Sequence, residues 1–287
     1  MNLTRHHNGV DSISTEKVKP FTVCIVVPVF RELLSADEQL SLWCLKSLLG
    51  HYDCYQISPQ SLKRRIAGFG HVAFEDHWFA SVNSYSKLLL TARFYASFSS
   101  YEFLLIYQLD CLVFSDQLPF WCRQNFDYIG APFPVSKIDS SQGFSRVGNG
   151  GLSLRRVEAC LRVLQAPGVK LGQVMSRLRK PGLGMTDLSG SPCFTRLWKF
   201  VMVHTELKVG ANAYSSQYTC NEDLFWSDRA TLLDPRFRVA PLEFGFQFAF
   251  ECWPKKCLDI SGGVMPFGAH AWAKHGRDFW ESQVKKL

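Results

Sequence analysis

Apolar residues follow two different periods along the chain, and the order of these periods predicts an α/β sheet. The run "TVCIVVPVF" (22–30) is almost continuously apolar and rich in valine, which is typical of a parallel strand buried on both faces. Residues 35–51 repeat apolar positions at helical spacing, with Ser35 as the expected N-cap and Glu38 completing a capping box. A second strand is predicted at 53–58. Strand, helix and strand in this order indicate the start of a doubly wound α/β sheet.

The next part of the chain continues this alternation. Residues 84–99 have the pattern of an amphipathic helix, and "FLLIYQLD" (103–110) has that of a buried strand. Residues 165–219 are rich in Gly, Pro, Ser and basic residues, and their pattern predicts loops or an insertion. The other predicted elements are a helix around 116–126, a strand at 127–132 and a glycine turn leading into a helix over 146–164.

Composition fits a globular enzyme with a large core. Of the 287 residues, 47% are hydrophobic and 20% are charged. The polar segment 1–20 lacks the apolar region of a signal peptide and predicts a flexible tail before a single domain at 21–287. Since no apolar run reaches the roughly 18–20 residues of a membrane span, we expect a soluble, cytoplasmic protein.

The net charge of +7 predicts a basic surface that attracts nucleic acid, anionic lipid or phosphorylated small molecules. Basic residues concentrate at 61–65, 153–162 and 176–182, where the pattern favours solvated helix faces; a membrane-facing patch is the alternative. Aromatic residues lie in apolar runs and do not alternate with basic ones, which argues against nucleic acid. The ten cysteines form no CxxC pair, so reduced thiols are expected, without disulfides or a zinc site.

One acid, Asp110, lies inside the apolar run "IYQLDCLVF" (106–114). A buried, unpaired carboxylate is costly, so we expect it near the carboxyl end of a central strand, where open α/β sheets bind ligands. His270, in "MPFGAHAWAKHG", lies in a segment without helical periodicity. Single histidines are more often structural than ligands. Together, however, Asp110 and His270 would offer oxygen and nitrogen ligands to a divalent ion.

The turn "VGNGGLSLR" (147–155) allows two interpretations. Gly148, Gly150 and Gly151 could bring backbone amides close to an anion or substrate ahead of a helix. They could equally form a tight turn that needs positive φ. The segment matches neither of the glycine-rich nucleotide-binding motifs GxxxxGK[ST] and GxGxxG.

The segment "CNEDLFWS" (220–227) places Glu222 and Asp223 side by side before an aromatic run. Adjacent acids point in different directions, so one is expected to cap a helix while the other enters a cleft as a general base. Taken alone, the segment favours the helix cap.

Five segments, in this order and spacing, resemble the DUF5672 family, which is similar to GT-A fold glycosyltransferases of bacterial surface polysaccharide loci. The resemblance covers roughly residues 22–280 and implies a GT-A-like, Rossmann-related mixed sheet flanked by helices. The segments are "SYSKLLLTARFYASFSSYEFLLIYQLDCLVF", "DYIGAPF", "VGNGGLSLR", "NEDLFWS" and "MPFGAHAW".

The resemblance implies a nucleotide-sugar donor, with UDP as the expected nucleotide, held against the first strand. Lys87, on the helix before the strand that ends near Asp110, would reach the phosphates or the ribose. The donor-binding residues implied in this way are Pro28, Val29, Phe30, Lys87 and Gln108.

The resemblance also implies a metal site. Asp110 corresponds to the last acid of the DxD motif that holds Mn²⁺ or Mg²⁺ on the diphosphate. Here the motif reads Gln108-Leu109-Asp110, so its first acid is missing. His270 matches a histidine that such enzymes recruit from near the C-terminus. The ion would offset the charge of the leaving diphosphate.

The implied activity is inverting sugar transfer to a saccharide acceptor in surface polysaccharide or lipopolysaccharide synthesis. Asp223 would be the general base, with Glu222 the alternative, and the segment Asn149-Gly150-Gly151 would line the donor-sugar and acceptor side. The basic surface would dock at the inner face of the cytoplasmic membrane. Because the DxD motif is incomplete, a non-catalytic nucleotide- or carbohydrate-binding protein on the same scaffold is the alternative.

Overall fold

The computed structural model describes residues 22–166, 169–170, 208–209, 215, 218 and 220–285. The expected tail at 1–20, the basic segment at 176–182 and most of 165–219 lie outside the described residues.

The strands of the described residues are β1 (Val23–Pro28), β2 (Asp53–Pro59), β3 (Gly70–Phe74), β4 (Phe103–Tyr107), β5 (Leu112–Val113), β6 (Tyr128–Gly130), β7 (Pro132–Pro134), β8 (Phe144–Val147), β9 (Leu152–Arg156), β10 (Val169–Lys170), β11 (Lys208–Val209), β12 (Ala249–Phe250) and β13 (Gly268–Ala269).

Helices alternate with these strands. The α-helices of the described residues are α1 (Ala36–Leu49), α2 (Val82–Leu88), α3 (Ala92–Ala96), α4 (Leu118–Arg123), α5 (Val157–Leu164), α6 (Glu222–Leu224), α7 (Ala230–Leu233), α8 (Leu242–Phe248), α9 (Pro254–Ile260) and α10 (Arg277–Val284). Short 3₁₀ turns lie at Asp76–Phe79 and Ser140–Gln142, and a π-helical turn at Phe225–Arg229 connects α6 to α7.

A six-stranded mixed sheet, in the order β3-β2-β1-β4-β9-β6, forms the centre of the fold. Strands β3, β2, β1 and β4 are parallel, whereas β9 runs antiparallel to both β4 and β6. Every residue of β1 is buried, because this strand is paired on both edges and covered on both faces. The expected α/β class, a mixed sheet flanked by helices, is confirmed.

Alternate residues of β1 pack into different cores, which explains why the strand is apolar throughout. Ile25 lies in a core with Leu45 of α1, while Val26 lies in a second core with Phe94 of α3 and Val163 of α5. The strand therefore needs apolar side chains at successive positions, since each face of the sheet is covered by helices.

Helix α1 begins as the sequence predicts. The Ser35 hydroxyl accepts a hydrogen bond from the backbone N–H of Glu38 at 3.2 Å, and the Glu38 carboxylate accepts one from the backbone N–H of Ser35 at 2.7 Å. This capping box satisfies two backbone donors that the first helical turn leaves unpaired.

The single helix predicted at 84–99 is wrong, because the segment forms two short helices. Helix α2 ends at Leu88, and α3 begins at Ala92. The Thr91 side chain accepts a hydrogen bond from the backbone N–H of Phe94 at 3.2 Å, so it caps a new helix at a position where the sequence pattern predicted continuity.

The helix predicted directly after the glycine turn at 146–151 is also wrong. Strand β9 follows the turn, and α5 begins only at Val157. Consequently Arg155, which lies in β9, is not on a solvated helix face, because its side chain is completely buried.

A small three-stranded sheet, β12-β13-β5, joins the C-terminal part of the chain to the central sheet. Strand β13 pairs parallel with β12 and antiparallel with β5, which follows β4 after a turn. The ends of these strands place Asp110, Glu251 and His270 at one edge of the fold.

None of the helices in the described residues combines the length and hydrophobicity that a bilayer crossing requires. The nine cysteines of the described residues are all free, and Cys193 lies outside them.

Candidate active site

Four chain segments meet at the edge where β4, β12 and β13 end and where the glycine turn precedes β9, and backbone hydrogen bonds fix them. The backbone N–H of Gln108 donates to the carbonyl of Gly151 at 3.0 Å, and that of Trp272 donates to the carbonyl of Asp110 at 3.3 Å. The backbone N–H of His270 donates to the carbonyl of Phe250 at 2.9 Å. Side chains on these segments are therefore held in a fixed arrangement.

The imidazole of His270 lies between two carboxylates. Its Nε2 is 3.4 Å from Oδ1 of Asp110 and 3.3 Å from Oε1 of Gln108. On the opposite side of the ring, Nδ1 is 3.6 Å from Oε1 of Glu251. The structure thus brings Asp110 and His270 together, as the sequence predicts, and adds Gln108 and Glu251 to the same cluster.

Charge and burial act against each other at His270. Burial lowers its pKa, but the contacts with Asp110 and Glu251 outweigh this and raise the pKa to about 10. Burial would also raise the pKa values of the two carboxyl groups, yet their contacts with His270 lower both. At neutral pH and without a metal ion, the cluster is an imidazolium between two carboxylates.

Glu251 is a site residue that the sequence analysis missed. It directly follows β12, and its Oε2 accepts a hydrogen bond from Nδ2 of Asn149 at 2.8 Å. The stretch "FAFECW" (248–253) carries a signal like that of "IYQLDCLVF": a single acid inside a run of aromatic and apolar residues. The cost of an uncompensated acid in such a run therefore applies to Glu251 as well.

The glycines of the turn at 147–151 are needed for close approach. None of the three glycines in this turn has positive φ, so the expected tight turn of that type is wrong. A Cβ atom on Gly151 would lie 2.0 Å from Nε2 of His270, and one on Gly150 would lie 2.3 Å from Oε1 of Glu222. The interpretation as an anion site ahead of a helix fails too, because β9 follows the turn.

A buried ion pair lies on the other side of this turn. Nη2 of Arg155 is 3.0 Å from Oε1 of Glu222, and the two side chains are 0% and 7% exposed. Arg155 also donates to the Tyr95 hydroxyl at 3.0 Å and lies over the ring of Tyr128. Glu222 therefore balances a charge in the core, and this role leaves it poorly suited to accept a proton from a substrate.

Asp223 is in a different environment from its neighbour. It is half-buried, and burial raises its pKa to about 7, with the nearby Glu222 carboxylate adding to the rise. Neither acid occupies the N-cap position of α6, which belongs to Asn221, so the predicted helix-cap role is wrong. A carboxylate with a pKa near neutrality has the proton affinity that a general base requires.

A cavity of about 540 Å³ opens beside the cluster. Pro28, Phe30, Gln108 and Asp110 line it, together with Tyr85 and other residues of α1 and α2.

Two of the expected donor-binding residues, Val29 and Lys87, do not line the cavity. Val29 is buried and donates its backbone N–H to the carbonyl of Ile57, and Lys87 lies on α2. The acids Glu222 and Asp223 also lie outside its lining.

The donor atoms in the cluster fit a divalent cation. Oδ1 of Asp110, Oε1 of Gln108 and Nε2 of His270 converge, and Nε2 lies 3.3–3.4 Å from both oxygens. Ligands about 2.1 Å from an octahedral ion are about 3 Å apart, so a small contraction would suffice. Oδ1 of Asp110 is buried and has no hydrogen-bond partner among the described residues. Cys111, although close by, donates its thiol to the Gly151 carbonyl, and burial raises its pKa well above the usual range.

A second group of potential ligands adjoins the first. Carboxylate, thiol and imidazole atoms of Glu251, Cys252 and His275 lie within 4.8 Å of one another. Burial raises the pKa of the Cys252 thiol to about 11, so the thiolate that binds metals is scarce at neutral pH. We therefore regard the oxygen-rich cluster around Asp110 as the better fit to Mn²⁺ or Mg²⁺.

Comparisons with known proteins give one family match and several distant structural likenesses. The family described as "Protein of unknown function (DUF5672)" matches residues 69–270. No curated protein matches the chain significantly.

The solved structures that resemble the chain include three glycosyltransferases. The galactosyltransferase LgtC in complex with donor and acceptor sugar analogues is 12% identical, with 92% of this chain and 96% of that chain covered and a TM-score of 0.41. GlyE of Streptococcus pneumoniae is 11% identical (92% and 60% covered, TM-score 0.40), and mouse xyloside xylosyltransferase 1 is 12% identical (87% and 97% covered, TM-score 0.43). Likenesses at this level carry no argument about activity.

The substitution Gly151→Ala should disturb the cluster around His270. The new Cβ would have to displace the His270 ring, so we expect Mn²⁺ affinity, measured by calorimetric titration, to fall roughly 10–100-fold, as when the support of a metal ligand is lost. Gly70→Ala is the control, because its Cβ would meet the Tyr55 side chain at the β3 edge of the sheet, away from the cluster. Unchanged Mn²⁺ affinity in Gly151→Ala would contradict the assignment.

The substitution Glu222→Gln should act mainly on stability. Removing one partner leaves Arg155 buried without a counter-charge, so urea denaturation should show a loss of about 3–5 kcal/mol in the free energy of unfolding. Glu158→Gln removes an exposed pair with Arg162 and should cost less than about 1 kcal/mol. Equal losses of unfolding free energy in the two variants would show that the buried pair contributes no more to stability than the exposed pair does.

Proposed function

Since the chain belongs to the DUF5672 family, whose description assigns no activity, we propose from the geometry of the site that it is a metal-dependent glycosyltransferase. It would move a sugar from a nucleotide-sugar donor to a saccharide acceptor. One observation carries the proposal: the convergent oxygen and nitrogen atoms of Asp110, Gln108 and His270 lie beside a cavity lined by the end of β1.

The cavity suits a nucleotide. Its volume of about 540 Å³ lies within the range of roughly 300–1,000 Å³ that is typical of small-molecule sites. Phe30 is 52% exposed at its rim and offers a ring face to a base, while Gln108 and Asp110 lie where the phosphates would need a counter-ion. We propose UDP as the nucleotide, and Lys87 would contribute to donor binding only if its side chain turns toward the cavity.

Asp110 and His270, with Gln108 beside them, would hold Mn²⁺ or Mg²⁺. The ion would offset the charge of the diphosphate and so ease departure of the nucleotide. Asp110 supplies the anionic ligand. Gln108 takes the position of the missing first acid and keeps an oxygen directed at the cluster.

Asp223 is the proposed general base for inverting transfer. The acceptor oxygen would form a bond to the anomeric carbon while the bond from that carbon to the diphosphate oxygen breaks, and its electron pair leaves with the nucleotide. The hydroxyl proton would pass to the Asp223 carboxylate. Asn149, Gly150 and Gly151 lie between the metal cluster and the acids, which supports their proposed place on the donor-sugar side.

The acceptor is proposed from the family resemblance, and the membrane contact is proposed from charge alone. We propose a saccharide acceptor of surface polysaccharide or lipopolysaccharide synthesis, reached by peripheral contact with anionic lipid at the inner face of the cytoplasmic membrane. Of the basic segments behind this proposal, 61–65 retains two exposed cations, Lys63 and Arg65. Arg155 of the segment 153–162 belongs to the core instead.

Nucleotide binding should depend on the metal cluster. In calorimetric titrations with UDP and GDP, with and without Mn²⁺, we expect metal-dependent binding of UDP that is lost in Asp110→Ala and His270→Ala. His51→Ala is the matched control, since it removes another histidine paired with an aspartate, Asp116, outside the cluster. Absence of nucleotide binding by the wild-type protein under every condition would favour the non-catalytic carbohydrate-binding alternative.

Turnover should follow the titration of Asp223. Because a base must be unprotonated, we expect the rate of sugar transfer to fall roughly tenfold per pH unit below the Asp223 pKa of about 7. Asp223→Asn should abolish transfer at every pH while Mn²⁺-dependent UDP binding persists. Transfer at the wild-type rate in this variant would reject Asp223 as the base.

A further inference from the structure

The Glu251 carboxylate is fixed from behind by the glycine turn. Its Oε2 accepts a hydrogen bond from Nδ2 of Asn149 at 2.8 Å, and Oδ1 of Asn149 accepts one from the backbone N–H of Gly151 at 3.1 Å. The Glu251 side chain is only 14% exposed. One carboxylate oxygen is therefore held in place, and its orientation determines where the other oxygen points.

That other oxygen faces His270. Oε1 of Glu251 is 3.6 Å from Nδ1, which is buried and has no hydrogen-bond partner among the described residues. Nε2, on the far side of the ring, faces Asp110 and Gln108. A neutral imidazole carries its single proton on one nitrogen, and only the other nitrogen can bind a metal ion.

We propose that Glu251 is the positioning residue for His270: its carboxylate accepts a hydrogen bond from Nδ1–H and thereby presents Nε2, unprotonated, to the divalent cation beside Asp110. A shift of less than an ångström would bring the 3.6 Å contact into hydrogen-bond range. This inference rests on the proposed metal site and deepens it. Outer carboxylates of this kind fix the ring orientation and raise the basicity of the ligand nitrogen.

The positions of Asp110 and Glu251 distinguish a positioning residue from a direct metal ligand. The two carboxylates lie against opposite nitrogens of one imidazole, so the ring would lie between Glu251 and a cation bound to Nε2. The competing arrangement is a cation held by Glu251 with Cys252 and His275. The two arrangements require different residues, which makes them separable by substitution.

Electron paramagnetic resonance of free Mn²⁺ tests the proposal without requiring turnover. Binding removes the signal of the free ion, so titration of the full chain gives the affinity directly. We expect Glu251→Met, similar in length but without an oxygen acceptor, to weaken Mn²⁺ binding roughly 10–100-fold. Glu251→Gln keeps an oxygen that can accept a hydrogen bond from Nδ1–H and should recover part of this loss. A merely structural role would not separate these two variants by their Mn²⁺ affinity at equal melting temperature.

The controls define each outcome. Asp110→Ala and His270→Ala should abolish binding, and His275→Ala should leave it unchanged. If wild-type protein fails to bind Mn²⁺, with or without UDP, the proposed metal site fails. If wild-type protein binds but Glu251→Met binds equally well, only the positioning role is overturned. Loss in Glu251→Met as complete as that in His270→Ala, or dependence on His275, would make Glu251 a ligand and also overturn the proposal.

Discussion

The absence of two Cβ atoms, at Gly150 and Gly151, is the constraint on which the site depends. Each glycine lets a charged group approach the turn closely: His270 packs against Gly151, and Glu222 packs against Gly150. The backbone here is not left-handed, so the requirement for glycine is steric. Because both contacts arise from neighbouring residues, the His270 cluster and the buried Arg155 ion pair are positioned by the same turn.

The topology explains why this turn can serve both clusters. It leads into β9, which inserts antiparallel beside β4, so the turn lies next to the residues that follow β4. From the other direction, the small sheet brings in β13 and the C-terminal loop. Directly after His270, Ala271 has φ of +49°, a left-handed conformation that costs about 1–2 kcal/mol for a residue other than glycine. The structure tolerates this cost where the loop turns back to bond Asp110.

The sequence predicted the parts of the fold that depend on local periodicity, and missed those that depend on tertiary contact. Strand β1 and the Ser35 cap follow from apolar runs and capping chemistry. The break at Thr91 did not, because the apolar positions keep helical spacing across it. Arg155 looked like a surface residue in sequence, since nothing local shows that Glu222, 67 positions later, neutralises it. Asp110 stood out because an isolated acid in an apolar run requires compensation, whereas His270 was singled out as a complementary nitrogen ligand and through the family resemblance.

In the proposed cation site, the charges of the neighbouring side chains compensate for the acid that is missing at position 108. Gln108 contributes an oxygen but no charge, so among the described residues that contact Nε2 of His270 the negative charge comes from Asp110. Glu251 adds a second negative charge on the Nδ1 side, at 3.6 Å. In the proposed site the second carboxylate therefore acts through the imidazole, and the total charge near the ion equals that of two acids. If the proposed site holds a cation, Glu251 therefore supplies from the far side of the imidazole the charge that Gln108 lacks.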